Sequence, residues 1–254
     1  MEKFTPQKFT IFLVKAFTQY KWVEIKGGTF SMGSNIINHS GPEHDVSVNS
    51  FWMMKTEVTL GMYLECKNHG DCRYWPNGRS SCEYLRVNPS NRETSMRPAN
   101  CVTASSAQTF CQWIGGRLPT ESEWEYAARS EGKDHIYPWG NEAPSCENVV
   151  ASRCSKGLDG TWARPQNPCS TNDITEQGIC DLGGNVGEYV IDQWHGNYSG
   201  HPTDGSAWGN TGNVVVRGGN FDKEMHQCKT RFRRGHSRTD KNSLFGFRCV
   251  RDQL

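Results

Sequence analysis

Cysteine is the residue type with most chemical potential in this sequence: 254 residues carry 11 of them. No CxxC unit occurs, so a zinc ribbon is not expected. Four close spacings suit short disulfide loops instead: Cys66 with Cys72, Cys82 with Cys101, Cys146 with Cys154, and Cys169 with Cys180. Two or more such bridges imply an oxidising compartment. An odd count leaves at least one thiol over. Cys228 stands two residues after His226, which offers two soft ligands, but a structural histidine and a bonded cysteine explain the pair as well. HxxxH, HExxH, GxSxG and GxxxxGK[ST] patterns are all absent, which removes the usual zinc hydrolase, serine hydrolase and P-loop readings.

Charge excludes further classes. The formal net charge is +1, so nothing points to nucleic acid or to a charged membrane surface. Positive charge does concentrate near the end, at Lys223, Lys229, Arg231, Arg233, Arg234, Arg238 and Lys241. Trp194, His195 and Tyr198 are the aromatic candidates to accompany it. Arginine and aromatic side chains are common interface anchors.

The elements that must position these residues read as α+β. Mean hydropathy is −0.71, yet 9 Trp, 11 Phe and 8 Tyr can build a core from large rings. The 26 glycines predict many turns. Residues 1–22 form an N-terminal extension whose apolar run FTIFLV is too short for a signal-peptide core, so no signal peptide is visible, and no segment is suited to membrane insertion. Residues 23–254 form one domain. VEIKGGTFSMGS and DVSVNSFWMMKTEVT alternate as half-buried strands do. LGMYLECKN reads as a short helix. TASSAQTFCQWIGG sets Ala107, Phe110, Cys111 and Ile114 at helical spacing and stops at Gly115-Gly116. PTESEWEYAARS opens on a Thr120–Glu123 capping box. Residues from about 140 to 180 read as loop, and NVVVRGGNF and FGFRCVR as closing strands.

Six segments in order, GGTFSMGS, GGRLPTESEWEYAAR, YPWGN, GGNVGEY, VVRGGNF and GFRCVR, resemble the formylglycine-generating-enzyme (sulfatase-modifying-factor) family over residues 22–254. The resemblance implies a C-type-lectin-like fold with few short helices, small and mostly antiparallel sheets and long structured loops. It implies a disulfide between Cys111 and Cys249. A second family bridge has lost both ends together, at Ala128 and about Arg231. It also implies two structural calcium sites. One falls on Asp181, Gly184, Val186 and Glu188; the other falls on Asn148, Val149, Asp159 and Thr161 across a shorter loop.

The family's enzymes oxidise a cysteine of a protein substrate with copper held by two cysteines after the GG-Ser-Tyr stretch. Here the first of those positions reads about Lys223, and Cys228 is the only thiol in the window. No copper is expected, and Cys228 is left as the one candidate for catalysis. The expected function is a non-catalytic binding or regulatory domain for a protein or peptide partner, with kinase regulation as one setting. Asn220, Lys223, His226, Arg231, Arg234, Trp194 and His195 are the candidate ligand-binding residues. The alternatives are a formylglycine-generating oxidoreductase using Cys228 and a calcium-dependent carbohydrate binder. The expected location is periplasmic or secreted.

Overall fold

The computed structural model describes residues 20–73, 95–151, 154, 165–209 and 211–253. Three antiparallel segments build the first sheet, in the order β1 (Trp22–Ile25), β4 (Phe51–Met54), β9 (Val250–Asp252). The first and last of the described strands therefore share one sheet. β2 (Gly28–Met32) pairs antiparallel with β3 (His44–Val48), Phe30 opposite Val46. Phe30, Met32, Val46 and Val48 all face inward, as the alternation in sequence requires. The third sheet runs β7 (Arg233–His236), β6 (Val214–Arg217), β5 (Gly187–Gln193), β8 (Phe245–Gly246). Its β5–β8 pair is parallel and the other pairs are antiparallel.

Among the described residues there are three α-helices: α1 (Leu60–His69), α2 (Ala104–Trp113) and α3 (Glu121–Ala128). Thr59, Thr103 and Thr120 cap their starts, each side chain accepting an N–H three residues on. At α3 the reciprocal half is present too, because Glu123 accepts from the Thr120 N–H at 2.8 Å. None of these helices is long and apolar enough to cross a membrane.

Two apolar clusters hold the layers together. Tyr63, Phe110 and Phe247 interlock beneath α1 and α2, with ring centroids 5.6 to 6.2 Å apart. Trp124 of α3 anchors the other cluster with Ile25, Phe51, Val190, Val215 and Val250. The architecture is α+β, with few short helices and small, mostly antiparallel sheets.

Disulfides join Cys66 to Cys72, Cys146 to Cys154, Cys169 to Cys180 and Cys111 to Cys249. Cys101 is also disulfide-bonded, and its expected partner Cys82 lies outside the described residues. These bridges point to an oxidising, non-cytoplasmic setting.

Candidate functional site

α3 carries two buried glutamates, and they organise the interior behind the site. Glu121 accepts from Arg233 through both oxygens at 2.7 and 2.8 Å, from Arg217 at 3.0 Å and from the Tyr198 hydroxyl at 3.0 Å. Burial pushes its carboxyl up, but the two guanidinium groups outweigh that and hold it at about 2. Glu125 accepts from Arg217 at 2.7 Å, from Arg129 at 3.2 Å and from the Gly33 N–H at 2.9 Å. Sequence reading treated this helix as a capped amphipathic element and missed its ion network. Arg129 is only one turn from Glu125, but Arg217 and Arg233 lie 92 to 112 residues away, so no local pattern announces those two.

Arg233, itself buried, extends this network to the loops beside β7. Its Nη1 donates to the carbonyls of His39 and His195, at 2.9 and 2.8 Å, tying two loops to the edge strand β7. Between those loops and β7 lies a cleft of about 580 Å³. One wall is cationic or imidazole: His39, His226, Lys229, Arg233 and Arg234. The apolar lining is Ile37, Trp194 and Phe232. The Trp194 ring lies directly on Gly235, where an added Cβ would meet ring atoms at 2.5 to 2.7 Å.

Arg234 is the unusual member. Its Nη1 donates to Gln227 Oε1 at 3.0 Å and its Nη2 to the Gly218 carbonyl at 2.9 Å, but Nε is shut off from solvent without a partner. Phe245 and Phe232 flank the guanidinium at 5.0 and 5.6 Å. Burial pushes it down to about 10.

The cleft thus gathers Trp194, His226 and Arg234 of the candidate residues. The others are placed elsewhere. His195 stacks on Trp208 at 3.6 Å and turns Nδ1 toward the Gln193 carbonyl. Asn220 is fully buried, with Nδ2 unpartnered. Arg231 is paired with Asp134, and Lys223 is exposed 3.6 Å from Asp222. Tyr198 is buried in the Glu121 network. The basic run is therefore less concentrated than its sequence suggests, because Arg231 and Arg233 are already neutralised by carboxylates.

Cys228 ends a 3₁₀ turn, Met225–Cys228, and is the free cysteine among the described residues. It is 1% exposed and packs with Val149 and Ala151, beside Tyr137, Trp139 and Met225. Burial pushes its thiol far up, Asp173 adds to that, and Arg234 only partly offsets them. A thiolate is strongly disfavoured there. The residues do not supply the paired thiolates of a copper(I) site: the buried Cys228 thiol faces no second free cysteine among the described residues.

The expected calcium ligands divide. Glu188 does not fit as a ligand. Its oxygens accept from Arg248 Nε at 2.8 and 2.9 Å, from Arg248 Nη2 at 2.6 Å and from Trp124 Nε1 at 2.8 Å. The Asp181 end is different. Asp181 is buried, its N–H bonds the Asp173 carbonyl, and its Oδ2 accepts from the Cys169 N–H at 2.5 Å. Asp173 Oδ1 and Glu57 Oε1 are buried without partners. Burial, with the Asp181 carboxylate adding, pushes Glu57 and Asp173 well up, and burial raises Asp181 to about 6. Among the described residues no three His, Cys, Asp or Glu side chains converge as a metal-ligand group, so loop carbonyls such as those of Gly184 and Val186 would have to complete any shell. Asn148 and Val149 follow the Ser145 turn, both N–H groups reaching its carbonyl at 3.1 Å; Asp159 and Thr161 lie outside the described residues.

Comparison with known proteins decides the family. The sulfatase-modifying factor enzyme 1-like domain model matches residues 12–253. The chain belongs to this family. It is 31% identical over 165 residues to a Bos taurus protein named inactive C-alpha-formylglycine-generating enzyme 2, covering 63% of this chain and 52% of that one. It is 26% identical to the Mus musculus formylglycine-generating enzyme, covering 92% of this chain and 76% of that protein. Serine/threonine-protein kinase pkn1 of Chlamydia caviae is 28% identical over 90% of this chain but only 37% of its own length. The chain thus spans about half of the bovine relative and little over a third of the chlamydial one. Among solved structures, PvdO from Pseudomonas aeruginosa superposes with a TM-score of 0.75 at 26% identity, covering 91% of this chain and 94% of that one. Treponema denticola variable protein 1, at 17% identity and a TM-score of 0.71, shares the fold.

Proposed function

We propose that this sulfatase-modifying-factor domain is a non-catalytic recognition domain that binds a protein or peptide partner through the β7 cleft. One observation carries the reading: Cys228 is buried and has no second free cysteine beside it among the described residues, while Lys223 stands near the position of the family's first catalytic cysteine. The enzymes this chain resembles hold their copper(I), a soft ion, with a pair of thiolates. The family includes relatives named as inactive as well as relatives named as enzymes, so loss of chemistry on this scaffold has precedent. The kinase name of the chlamydial relative supports a signalling setting for the partner.

Oxygen uptake with a copper-loaded chain and a cysteine-containing peptide tests the reading. No uptake and no modified peptide are expected. Copper-dependent conversion of the cysteine, abolished by Cys228→Ser, would establish the oxidoreductase alternative. A calcium-dependent glycan signal on an array, lost in chelator, would establish the carbohydrate alternative.

The disulfides support residence in the periplasm or outside the cell. Calcium is proposed as a structural ion at the Asp181 end of the Asp181–Glu188 loop, where the buried oxygens Glu57 Oε1 and Asp173 Oδ1 lack hydrogen-bond partners and could turn to a cation.

A further inference from the structure

The β7 cleft is lopsided in charge. His39, His226, Lys229, Arg233 and Arg234 line it, and among the described residues no Asp or Glu does. Arg233 is neutralised from behind by Glu121, but no ion pair engages Lys229 or Arg234 among the described residues. The fully buried arginines among the described residues each have a carboxylate: Arg129, Arg217, Arg233 and Arg248 face a glutamate at 2.6 to 3.2 Å. Arg234 instead lies against aromatic rings with a solvent-shielded Nε that donates to nothing. A desolvated cation with no counter-charge is an incomplete pair, and an anion from outside completes it.

The apolar lining narrows the class of anion. Trp194 is fixed flat on Gly235, and Ile37 lies in a turn held by the Ser34 hydroxyl, which accepts its N–H at 3.3 Å. Ile36, next in that turn, is 94% exposed. Apolar side chains from the neighbouring loops and cationic ones line the cleft together beside an edge strand, a mixture that suits an extended polypeptide better than a sulfated sugar.

We propose that the cleft takes an extended acidic peptide segment, with its carboxylates on Arg234 and Lys229 and an apolar side chain against Trp194, Phe232 and Ile37. This rests on the recognition reading and gives its partner a chemistry.

A random nonapeptide library displayed on phage, panned on the full chain, tests it. Enriched sequences should combine Asp or Glu with an aliphatic or aromatic residue. Synthetic versions should bind more weakly as salt rises. Lys229→Gln, a side chain outside the core, should weaken binding roughly tenfold, and Arg234→Met should weaken it further with partial rescue by Arg234→Lys. Enriched peptides without acidic residues, or affinities that ignore both substitutions, overturn the acidic segment and leave recognition standing. A library from which nothing is enriched overturns both. A sulfated oligosaccharide that binds at the cleft more tightly than any selected peptide overturns the peptide assignment.

Discussion

Arg217 is fully buried between Glu121 and Glu125, one helical turn apart on α3. Removing one partner of such a set leaves charges desolvated and unmatched. Arg217→Met is therefore expected to destabilise the fold by about 3–5 kcal/mol, read by urea unfolding. Asp192 shows the opposite electrostatics. It accepts from the N–H groups of Glu121 and Trp208 at 2.7 Å each, yet burial, with Glu121 adding, raises its carboxyl to about 7. A carboxyl raised by folding stabilises the protein while it stays protonated. That contribution is full below the unfolded value of about 4 and is lost as pH rises through about 7. Glu121, held at about 2, contributes in the other sense, and its share is lost only as pH falls through that value. Melting curves between pH 5 and 8 should therefore show stability falling as pH rises, to a degree that Asp192→Asn reduces; an unchanged slope in the variant would remove Asp192 from the account.

Elements set the geometry that these charges use. The α3 cap joins helix start to loop, because Thr120 Oγ1 accepts the Glu123 N–H and also donates to the Gly205 carbonyl at 3.0 Å. Thr120→Ala is expected to lower stability by about 1–2 kcal/mol in a denaturant titration. β7 needs a residue without a side chain at its third position. Gly235→Ala would drive a methyl into the Trp194 ring, so a blue- or red-shifted tryptophan emission and weaker cleft binding should accompany a lowered melting temperature. The Asp181–Glu188 loop gives a third test. If calcium sits at its Asp181 end, chelator lowers the melting temperature of the native chain and has no effect on Asp181→Ala.

The whole molecule is tied by one long covalent loop. Cys111 of α2 and Cys249, just before β9, are 138 residues apart in sequence. Chain-entropy reasoning assigns such a closure about 5 kcal/mol. Cys111→Ser should lose much of that and melt far earlier than a variant lacking the six-residue Cys66–Cys72 loop. Tyr63, Phe110 and Phe247 stack across the long bridge, so its loss also loosens the contact between α1, α2 and the terminal sheet.

What the sequence alone determined was local. The Thr120–Glu123 cap, the helix ending at Gly115-Gly116, the alternation of the early strands and three of the four short cysteine spacings are written within a dozen residues. Periodicity and capping act over that range, so they are legible without a fold. The six ordered segments carried the family in the same way. β5 and β7 were not legible: GEYVIDQ starts at the end of the expected Asp181–Glu188 ligand loop, and RRGH has no strand-like alternation. The site was only partly legible. Trp194, His226 and Arg234 were singled out by type, but which arginines remain available was decided by carboxylates a hundred residues away. Glu121 takes Arg233, and Asp134 takes Arg231. Charge pairing of this kind depends on distance in space and on burial, and neither quantity exists until the chain has folded.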